Sequence, residues 1–383
     1  MLSITNVRSI MELLKLARNQ LFMYQHLIQI GFCSDNDTVL VEEKFYPAEY
    51  KPNDILKLTE TVSRKLLEKV TPHILGKHKN TYTFTKNLAE EFIKNEKENL
   101  PITVVRPSII IGSAKEPMPG WIDNWIGPTT YGYFIGRGIL RSFNVHKNNV
   151  AEVIPVDMTA NLIIASAWKV GTEKIQKEPE IYHSTIGIAN LITWKNLIDL
   201  YLANAKKYPL DDVIWYPTYR MIKTEFGSKF YGFFTERIPA YLIDFASIIM
   251  GKKPRMIRLY DKIEYGYSFV RYCSTNPIRF ECKNFEKLID KMSPNDVKEF
   301  DFDVRKINWN KFIEDQYLGA RKYLWGSKST DFAAGRRKIA RLRIANYLLV
   351  GSTIGSSLFL SYKGFNLLTH KEPKIEINLV QTN

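Results

Sequence analysis

The chain has 383 residues, and its 54 lysines and arginines against 40 aspartates and glutamates give a formal net charge of +14. Hydrophobic residues make up 45% and aromatic residues 13% of it, which excludes a disordered or low-complexity chain. Its three cysteines, Cys33, Cys273 and Cys282, match neither a secreted disulfide framework nor a paired CxxC zinc motif. We therefore expect a folded intracellular protein without a metal site.

The first third of the chain is predicted to form helices around one buried strand. Residues 6–18 have the spacing of an amphipathic helix rather than the pattern of a signal peptide, so secretion is not expected. Further helices are predicted at 55–70 and 81–95. The β-branched run at 102–105, which follows Pro101, is typical of a buried strand in a parallel sheet. This order indicates an α/β protein.

The middle of the chain continues the same alternation. A short strand is predicted at 152–156, and Asp157 is placed to cap a helix over 158–170. Another strand is predicted at 181–186. From residue 191 onward, helices predominate.

An apolar stretch of twelve residues at 239–250 is interrupted by Asp244 and flanked by Arg237 and by Lys252 and Lys253. It is too short to span a bilayer. A buried helix is the first expectation, and an interfacial helix with cationic flanks is the alternative.

Near its carboxyl end the chain has nineteen residues without a formal charge, at 344–362. This run can cross a hydrocarbon core of about 30 Å, and a buried helix is the alternative. The preceding residues 328–343 carry +5, which predicts that the domain before the span lies on the cytoplasmic side. A second basic cluster at 252–258 carries +4. Neither cluster belongs to a recognised nucleic-acid-binding motif, so nucleic acid is not an expected partner.

Tyr82 and Lys86 form a Tyr-x-x-x-Lys motif on the helix predicted at 81–95. Residues four apart share a helix face, and a cation near a phenol of ordinary pKa about 10 favours its phenolate. Such a pair suits proton donation to a carbonyl oxygen as hydride reaches its carbon. Tyr219 and Lys223 have the same spacing, but no β-branched strand follows them, so we interpret that match as chance.

The surroundings of Tyr82 make its motif more specific. Several stretches resemble the fatty acyl-CoA reductases, which are extended short-chain dehydrogenase/reductases with a helical C-terminal "sterile" domain: 81–90, 105–110, 116–124, 154–158, 239–244, 251–254 and 317–324. The resemblance implies an α/β fold with a Rossmann-like, doubly wound parallel sheet, here without its first half, then a mainly helical domain and a membrane helix. The corresponding segments are 1–230 for the partial reductase domain, 231–326 for the sterile-type domain, 327–343 for a basic linker, 344–362 for the membrane helix and 363–383 for a tail.

Members of this family reduce an acyl-CoA to a fatty alcohol with NADPH and release CoA. The resemblance therefore implies NADPH as cofactor, and long-chain acyl-CoA and membrane lipids as partners. It also implies a location on the endoplasmic reticulum or peroxisome, with the catalytic domain facing the cytosol.

Residue by residue, the resemblance makes Tyr82 the proton donor and Lys86 both its electrostatic partner and a ligand of the nicotinamide ribose. It places Pro107 and Ser108 beside the nicotinamide. A loop near the acyl thioester is also implied, for which ordinary turn chemistry is the alternative; its residues are Gly120, Trp121, Asp123 and Asn124.

Two departures from the family pattern remain. No strand with a glycine-rich TGxxGxxG turn precedes Tyr82, so we expect roughly 100 residues of a doubly wound fold to be missing from the front of the chain. Gln29 occupies the position of the catalytic serine. Both departures support an alternative function, that of a catalytically silent, membrane-bound relative that binds acyl-CoA or lipid.

Overall fold

A computed structural model provides the structure. It describes residues 4–20, 24–27, 40–78, 80–125, 127–173, 178–187, 190–327 and 329–369. Within these ranges the strands are β1 (Tyr24–Leu27), β2 (Leu40–Val41), β3 (Ile102–Pro107), β4 (Ile109–Ile111), β5 (Ser142–Phe143), β6 (Val153–Pro155), β7 (Glu180–Ser184), β8 (Arg220–Met221) and β9 (Arg279–Phe280).

Helices make up most of the described chain. They are α1 (Ser9–Gln20), α2 (Pro52–Thr61), α3 (Arg64–Ile74), α4 (Thr81–Glu96), α5 (Pro128–Gly136), α6 (Val156–Thr172), α7 (Trp194–Lys207), α8 (Glu225–Gly232), α9 (Ile238–Ile249), α10 (Met256–Thr275), α11 (Lys283–Lys291), α12 (Pro294–Glu299), α13 (Trp309–Gly319) and α14 (Phe332–Thr369). π-Helical turns at Ile4–Arg8, Phe233–Arg237 and Ala320–Leu324 and a 3₁₀ turn at Val304–Lys306 adjoin them.

The central sheet consists of three parallel strands in the order β1, β3, β7. β3 is buried along its whole length, as its run of β-branched residues predicts. Its side chains alternate between two cores. Val104 packs with α1 and α4 on one face, and Val105 packs with α6 and α11 on the other. A parallel sheet covered by helices on both faces is the doubly wound α/β arrangement predicted from the sequence.

A further and larger core holds the helical part of the molecule together. It joins α5 and α7 to α10 and α13 through buried aromatic and aliphatic side chains, among them Tyr201, Tyr260 and Tyr317. Residues from both sides of the predicted 230/231 boundary contribute to this core. The sterile-type segment is therefore packed directly onto helices of the reductase segment.

Two local predictions need correction. The helix predicted at 55–70 is two helices, α2 and α3, because Val62 and Ser63 adopt extended backbone between them and Ser63 occupies the N-cap position of α3. Asp157 is the second residue of α6 and does not cap it. Its carboxylate instead accepts hydrogen bonds from the backbone N–H groups of Ala114, Lys115 and Glu116.

The carboxyl-terminal helix α14 is the one helix among the described residues that is long and apolar enough to cross a bilayer. The predicted linker is helical from Phe332 onward, since it is rich in alanine, arginine and lysine, which are strong helix formers. Ile339 is buried against the helical core, and Asn346 accepts a hydrogen bond of 2.9 Å from the Trp215 indole. From Tyr347 to Phe365 the large apolar side chains of the helix are exposed.

Candidate functional site

The Tyr-x-x-x-Lys pair lies in the first two turns of α4. The Asn80 side chain caps this helix by accepting a hydrogen bond of 2.9 Å from the Thr83 backbone N–H. The Lys86 ammonium lies 5.7 Å from the centre of the Tyr82 ring, and both side chains are partly exposed. The structure thus shows the two on one helix face, as their spacing predicts.

The same edge of the sheet also carries Pro107 and Ser108. A short loop joins α4 to β3, so the helix runs antiparallel to the strand and begins beside the strand's carboxyl end. Glu90 of α4 contacts Arg106 of β3. From that contact, Tyr82 lies about 12 Å along the helix and Ser108 about 7 Å along the strand, both toward the carboxyl edge. Ligands of parallel α/β sheets bind at this edge.

The contact between Glu90 and Arg106 is a buried ion pair. Arg106 Nε and an Nη donate to the two carboxylate oxygens over 2.8 and 2.5 Å, and the two side chains are 0% and 2% exposed. The remaining guanidinium hydrogens reach the carbonyl oxygens of Glu42 and Lys44 and Nε2 of His183. This network fixes α4, and with it Tyr82, against the strand that presents Ser108.

His183 in β7 completes this network as a neutral imidazole. Its Nδ1 lies 2.7 Å from the Glu281 carbonyl oxygen and its Nε2 lies 3.2 Å from Arg106. Since both arginine and a protonated ring nitrogen can only donate, Nδ1 carries the proton and Nε2 accepts. Burial and the neighbouring Arg106 lower the pKa of His183 to about 3. Sequence reasoning missed this residue and the ion pair, because nothing in their spacing singles them out.

Behind Ser108 lies a small cavity of about 20 Å³, with room for about one water molecule. Its lining is mainly apolar and includes three residues with polar groups, the Ser108 hydroxyl, the Glu152 carboxyl and the Trp194 indole. These three groups are buried and have no hydrogen-bond partner at normal geometry within the described residues. Burial raises the pKa of Glu152 to about 8, so this carboxyl is mostly protonated at neutral pH.

We expect the Glu152→Gln variant to lose part of the protein's pH dependence of stability. In the folded state Glu152 holds its proton up to about pH 8, whereas in the unfolded chain the pKa is near 4.5. Its contribution is therefore complete at low pH and falls as the pH rises through this window, by about 2 kcal/mol between pH 5 and pH 7. Melting temperatures of both proteins across this range measure the effect. Parallel curves would contradict the assignment, and exposed Glu68→Gln is the control.

The loop that contains Gly120 is held tightly by its own hydrogen bonds and by α13. Gly120 has a φ of +77°, and a Cβ there would lie 2.0 Å from the Asp315 carbonyl oxygen. A Cβ on Gly319 would in turn lie 1.9 Å from the Gly120 carbonyl oxygen. Two glycines therefore meet where the loop crosses the helix. This packing accounts for the glycine without a substrate, in line with the turn alternative.

The other predicted loop residues differ in exposure. Trp121 is partly buried, and its backbone N–H donates to the Ser113 hydroxyl over 3.0 Å. Asp123 and Asn124 are exposed to solvent. A role for the loop beside the acyl thioester stays a prediction.

Two further sequence predictions concern Gln29 and the second Tyr-x-x-x-Lys match. Gln29 lies outside the described residues. Tyr219 is not on a helix, and its hydroxyl donates to Asp199 over 2.5 Å. Its spacing to Lys223 is therefore a coincidence of sequence, as predicted.

Comparison with known proteins finds family matches in two parts of the chain. Two family models described as "Male sterility protein" match the chain, the NAD-binding one over residues 1–163 and the Sterile one over residues 235–327. Fatty acyl-CoA reductase wat of Drosophila melanogaster is 32% identical over 343 residues, which are 89% of this chain and 66% of that protein. Fatty acyl-CoA reductase 2 of Mus musculus is 33% identical over 344 residues, or 90% and 66%.

The chain thus spans 66% of the length of both of these relatives. Among solved structures, the terminal R domain from the myxalamid PKS-NRPS pathway is 11% identical with a TM-score of 0.48, covering 84% of this chain and 63% of that one.

Proposed function

Because the chain belongs to the fatty acyl-CoA reductase family, we propose that it reduces a long-chain acyl-CoA to a fatty alcohol with NADPH and releases CoA. The observation that carries this proposal is the Tyr82–Lys86 pair at the carboxyl edge of the parallel sheet. The family match itself supports a nicotinamide cofactor and an acyl-CoA substrate. The choice of NADPH, the long chain and the alcohol product are our proposal.

The residues present fit the nicotinamide end of the cofactor. Lys86 is partly exposed and lies one helical turn from Tyr82, where it can bind ribose hydroxyls. The Ser108 hydroxyl is buried and has no hydrogen-bond partner among the described residues, so it is a polar group available at the end of β3. For the pyrophosphate end, the sequence contains no glycine-rich turn before Tyr82. The fit is therefore to the nicotinamide end of the cofactor, with Tyr82 and Lys86 at the ribose and Pro107 and Ser108 beside the nicotinamide.

When bound, the cofactor supplies hydride to the substrate carbon. Tyr82 donates its phenolic proton to the substrate oxygen as negative charge develops there, and the Lys86 cation stabilises the phenolate that remains. Partial exposure of Tyr82 lets solvent return the proton between steps. The Glu90–Arg106 pair holds α4 in place, so the phenol keeps its position relative to the strand edge.

Two such reductions account for the proposed product. In the first, hydride adds to the thioester carbon, the oxygen is protonated, and the C–S bond breaks to release CoA as a thiol and leave an aldehyde. In the second, hydride adds to the aldehyde carbon and Tyr82 protonates the alkoxide. One acyl-CoA, two NADPH and two protons thereby yield one alcohol, one CoA and two NADP⁺.

A silent relative that binds acyl-CoA or lipid is the second candidate function. Gln29, at the position of the family's catalytic serine, favours it. NADPH oxidation, CoA release and alcohol formation from palmitoyl-CoA by the purified chain, together with NADPH binding by calorimetry, separate the two. We expect NADPH to bind, and we expect NADPH oxidation, CoA release and alcohol formation. Acyl-CoA binding without NADPH binding or product would establish the silent relative instead.

We further propose that α14 anchors the protein in the endoplasmic reticulum or peroxisome membrane, with the reductase part in the cytosol. The basic side chains before residue 344 support this orientation by the positive-inside rule. Protease protection of tagged termini in intact organelles tests it.

A further inference from the structure

The helical segment that runs from α8 through the π-helical turn at Phe233–Arg237 into α9 is polar on its inner side and apolar on its outer side. These elements follow one another without a break over residues 225–249, a length of about 37 Å. The π-helical turn precedes Pro239, whose ring and missing N–H disturb the helical ladder. We call this segment the inverted helix.

The inner side is a stripe at every fourth position, and its members are small or polar: Ser228, Gly232, Glu236, Ala240 and Asp244. Two carboxylates anchor the stripe. Glu236 accepts hydrogen bonds of 2.7 Å from the backbone N–H groups of Arg141 and Ser142. Asp244 accepts from three successive backbone N–H groups at the start of α10. The polar residues of this helix are thus used to attach it to the protein.

The outer side is a continuous apolar surface. Phe226, Phe230 and Phe234 follow one another one turn apart, with ring centres 6.2 and 5.1 Å apart, and Phe226 is 80% exposed. On α9 the surface continues with Leu242 and Ile249, which are 64% and 71% exposed. The buried helix expected at 239–250 is therefore wrong. The other exposed members are Phe233, Tyr241, Ile243, Phe245, Ile248 and Met250.

Together these side chains present apolar area on the order of 1,000 Å², whereas the largest apolar patch of a soluble monomer is typically a few hundred. The carboxyl end of the surface is bordered by the exposed cations Lys252, Lys253, Arg255 and Arg258. No ion pair joins these four to acidic side chains within the ranges that the structure describes. An apolar face with a basic border is complementary to a bilayer with anionic headgroups.

The place of this surface in the fold gives a second argument. The Trp215 indole donates to Asn346, at the point where the apolar part of α14 leaves the protein. The Arg141 guanidinium lies 5.5 Å above the Trp215 ring, and its backbone N–H binds Glu236 of the inverted helix. A chain of direct contacts therefore links the exit of α14 to the inverted helix. A bilayer that is spanned by α14 therefore lies close to the inverted helix.

We propose that the inverted helix is an in-plane membrane-docking surface whose partner is an anionic lipid bilayer. The apolar side chains enter the acyl region and the cations at its end contact lipid phosphates. α14 and the inverted helix then attach the protein at two places, which fixes how the reductase part is oriented over the membrane.

Depth measurements on the full chain in vesicles test this proposal. A spin label is placed at Leu242→Cys or Ile249→Cys in a Cys33→Ser background, and at Leu66→Cys on α3 as the control, which is 51% exposed. The Cys33→Ser protein without an added cysteine is treated with the same reagent. Its signal measures any labelling of the native Cys273 and Cys282. In phosphatidylcholine with phosphatidylserine, we expect labels at 242 and 249 to collide several-fold more often with oxygen than with a water-soluble nickel chelate. The label at 66 should show the reverse.

Water-like accessibility at 242 and 249 would overturn the proposal. So would protection from both reagents with dipolar broadening between labels, which would mean that a second copy of the chain covers the surface. Changing Lys252 and Lys253 to Glu should lower the oxygen preference several-fold in anionic vesicles and leave it unchanged in neutral ones. The same changes at Lys65 and Lys69 on α3 are the control, and an equal effect there would contradict the headgroup contacts.

Discussion

We expect the Tyr82→Phe variant to lose about 10²- to 10⁴-fold in kcat for alcohol formation, the contribution typical of a positioned general acid. Phenylalanine keeps the ring packed above Lys86 and removes the proton that the substrate oxygen receives. Because the phenol acts on developing charge, the loss should fall on kcat more than on KM. Steady-state rates of NADPH oxidation with palmitoyl-CoA, with product analysis, give this comparison.

The second Tyr-x-x-x-Lys match offers a control by the same substitution. Tyr219→Phe removes one hydrogen bond to Asp199 and should cost stability of about 1 kcal/mol, with kcat unchanged. Equal kcat losses in the two variants would mean that Tyr82 has no special role. An unchanged rate in Tyr82→Phe would remove it from the reaction.

We expect the Glu90→Gln variant to lower the free energy of unfolding by about 3–5 kcal/mol, since it leaves the Arg106 charge buried without its counter-charge. Arg106 is 2% exposed and cannot reach water in the folded protein. The change also loosens the attachment of α4 to β3, so turnover should fall as well. Denaturant unfolding in detergent micelles, followed by circular dichroism, measures the stability.

Glu91→Gln is the matched control, because Glu91 is the next residue of the same helix and is only partly buried. Its effect should stay within about 0.5 kcal/mol. A double variant, Glu90→Leu with Arg106→Met, should recover much of the loss, because both charges are then removed together. If Glu90→Gln and Glu91→Gln had the same free energy of unfolding, the Glu90–Arg106 pair would not be what holds the helix.

Local spacing allowed several features to be predicted correctly. The pairing of Tyr82 with Lys86 on one helix face depends only on helix periodicity. Burial of β3 follows from its β-branched run. By contrast, the break between α2 and α3 was missed, because the apolar spacing of the two helices continues across Val62 and Ser63.

Contacts between distant residues could not be predicted in this way. Glu90 and Arg106 are separated by a helix end, a loop and most of a strand, so neither residue by itself indicates a partner. Gly120 looked like an ordinary turn former. Gly120 lies close to Gly319 only because α13 crosses the loop. The two glycines are 199 positions apart in the chain.

The sequence by itself determined the family, the α/β order, the position of the Tyr82–Lys86 pair and the presence of an apolar helix near the carboxyl end. These features depend on residue type and short spacing, which the chain carries in any conformation. Only the tertiary structure decided which side of the inverted helix is exposed at the protein surface. The apolar residues of this segment outnumber the polar ones, so its composition predicted a buried helix at 239–250. The carboxylates of Glu236 and Asp244 instead bind backbone N–H groups of the protein, and satisfying those buried donors turns the apolar side outward.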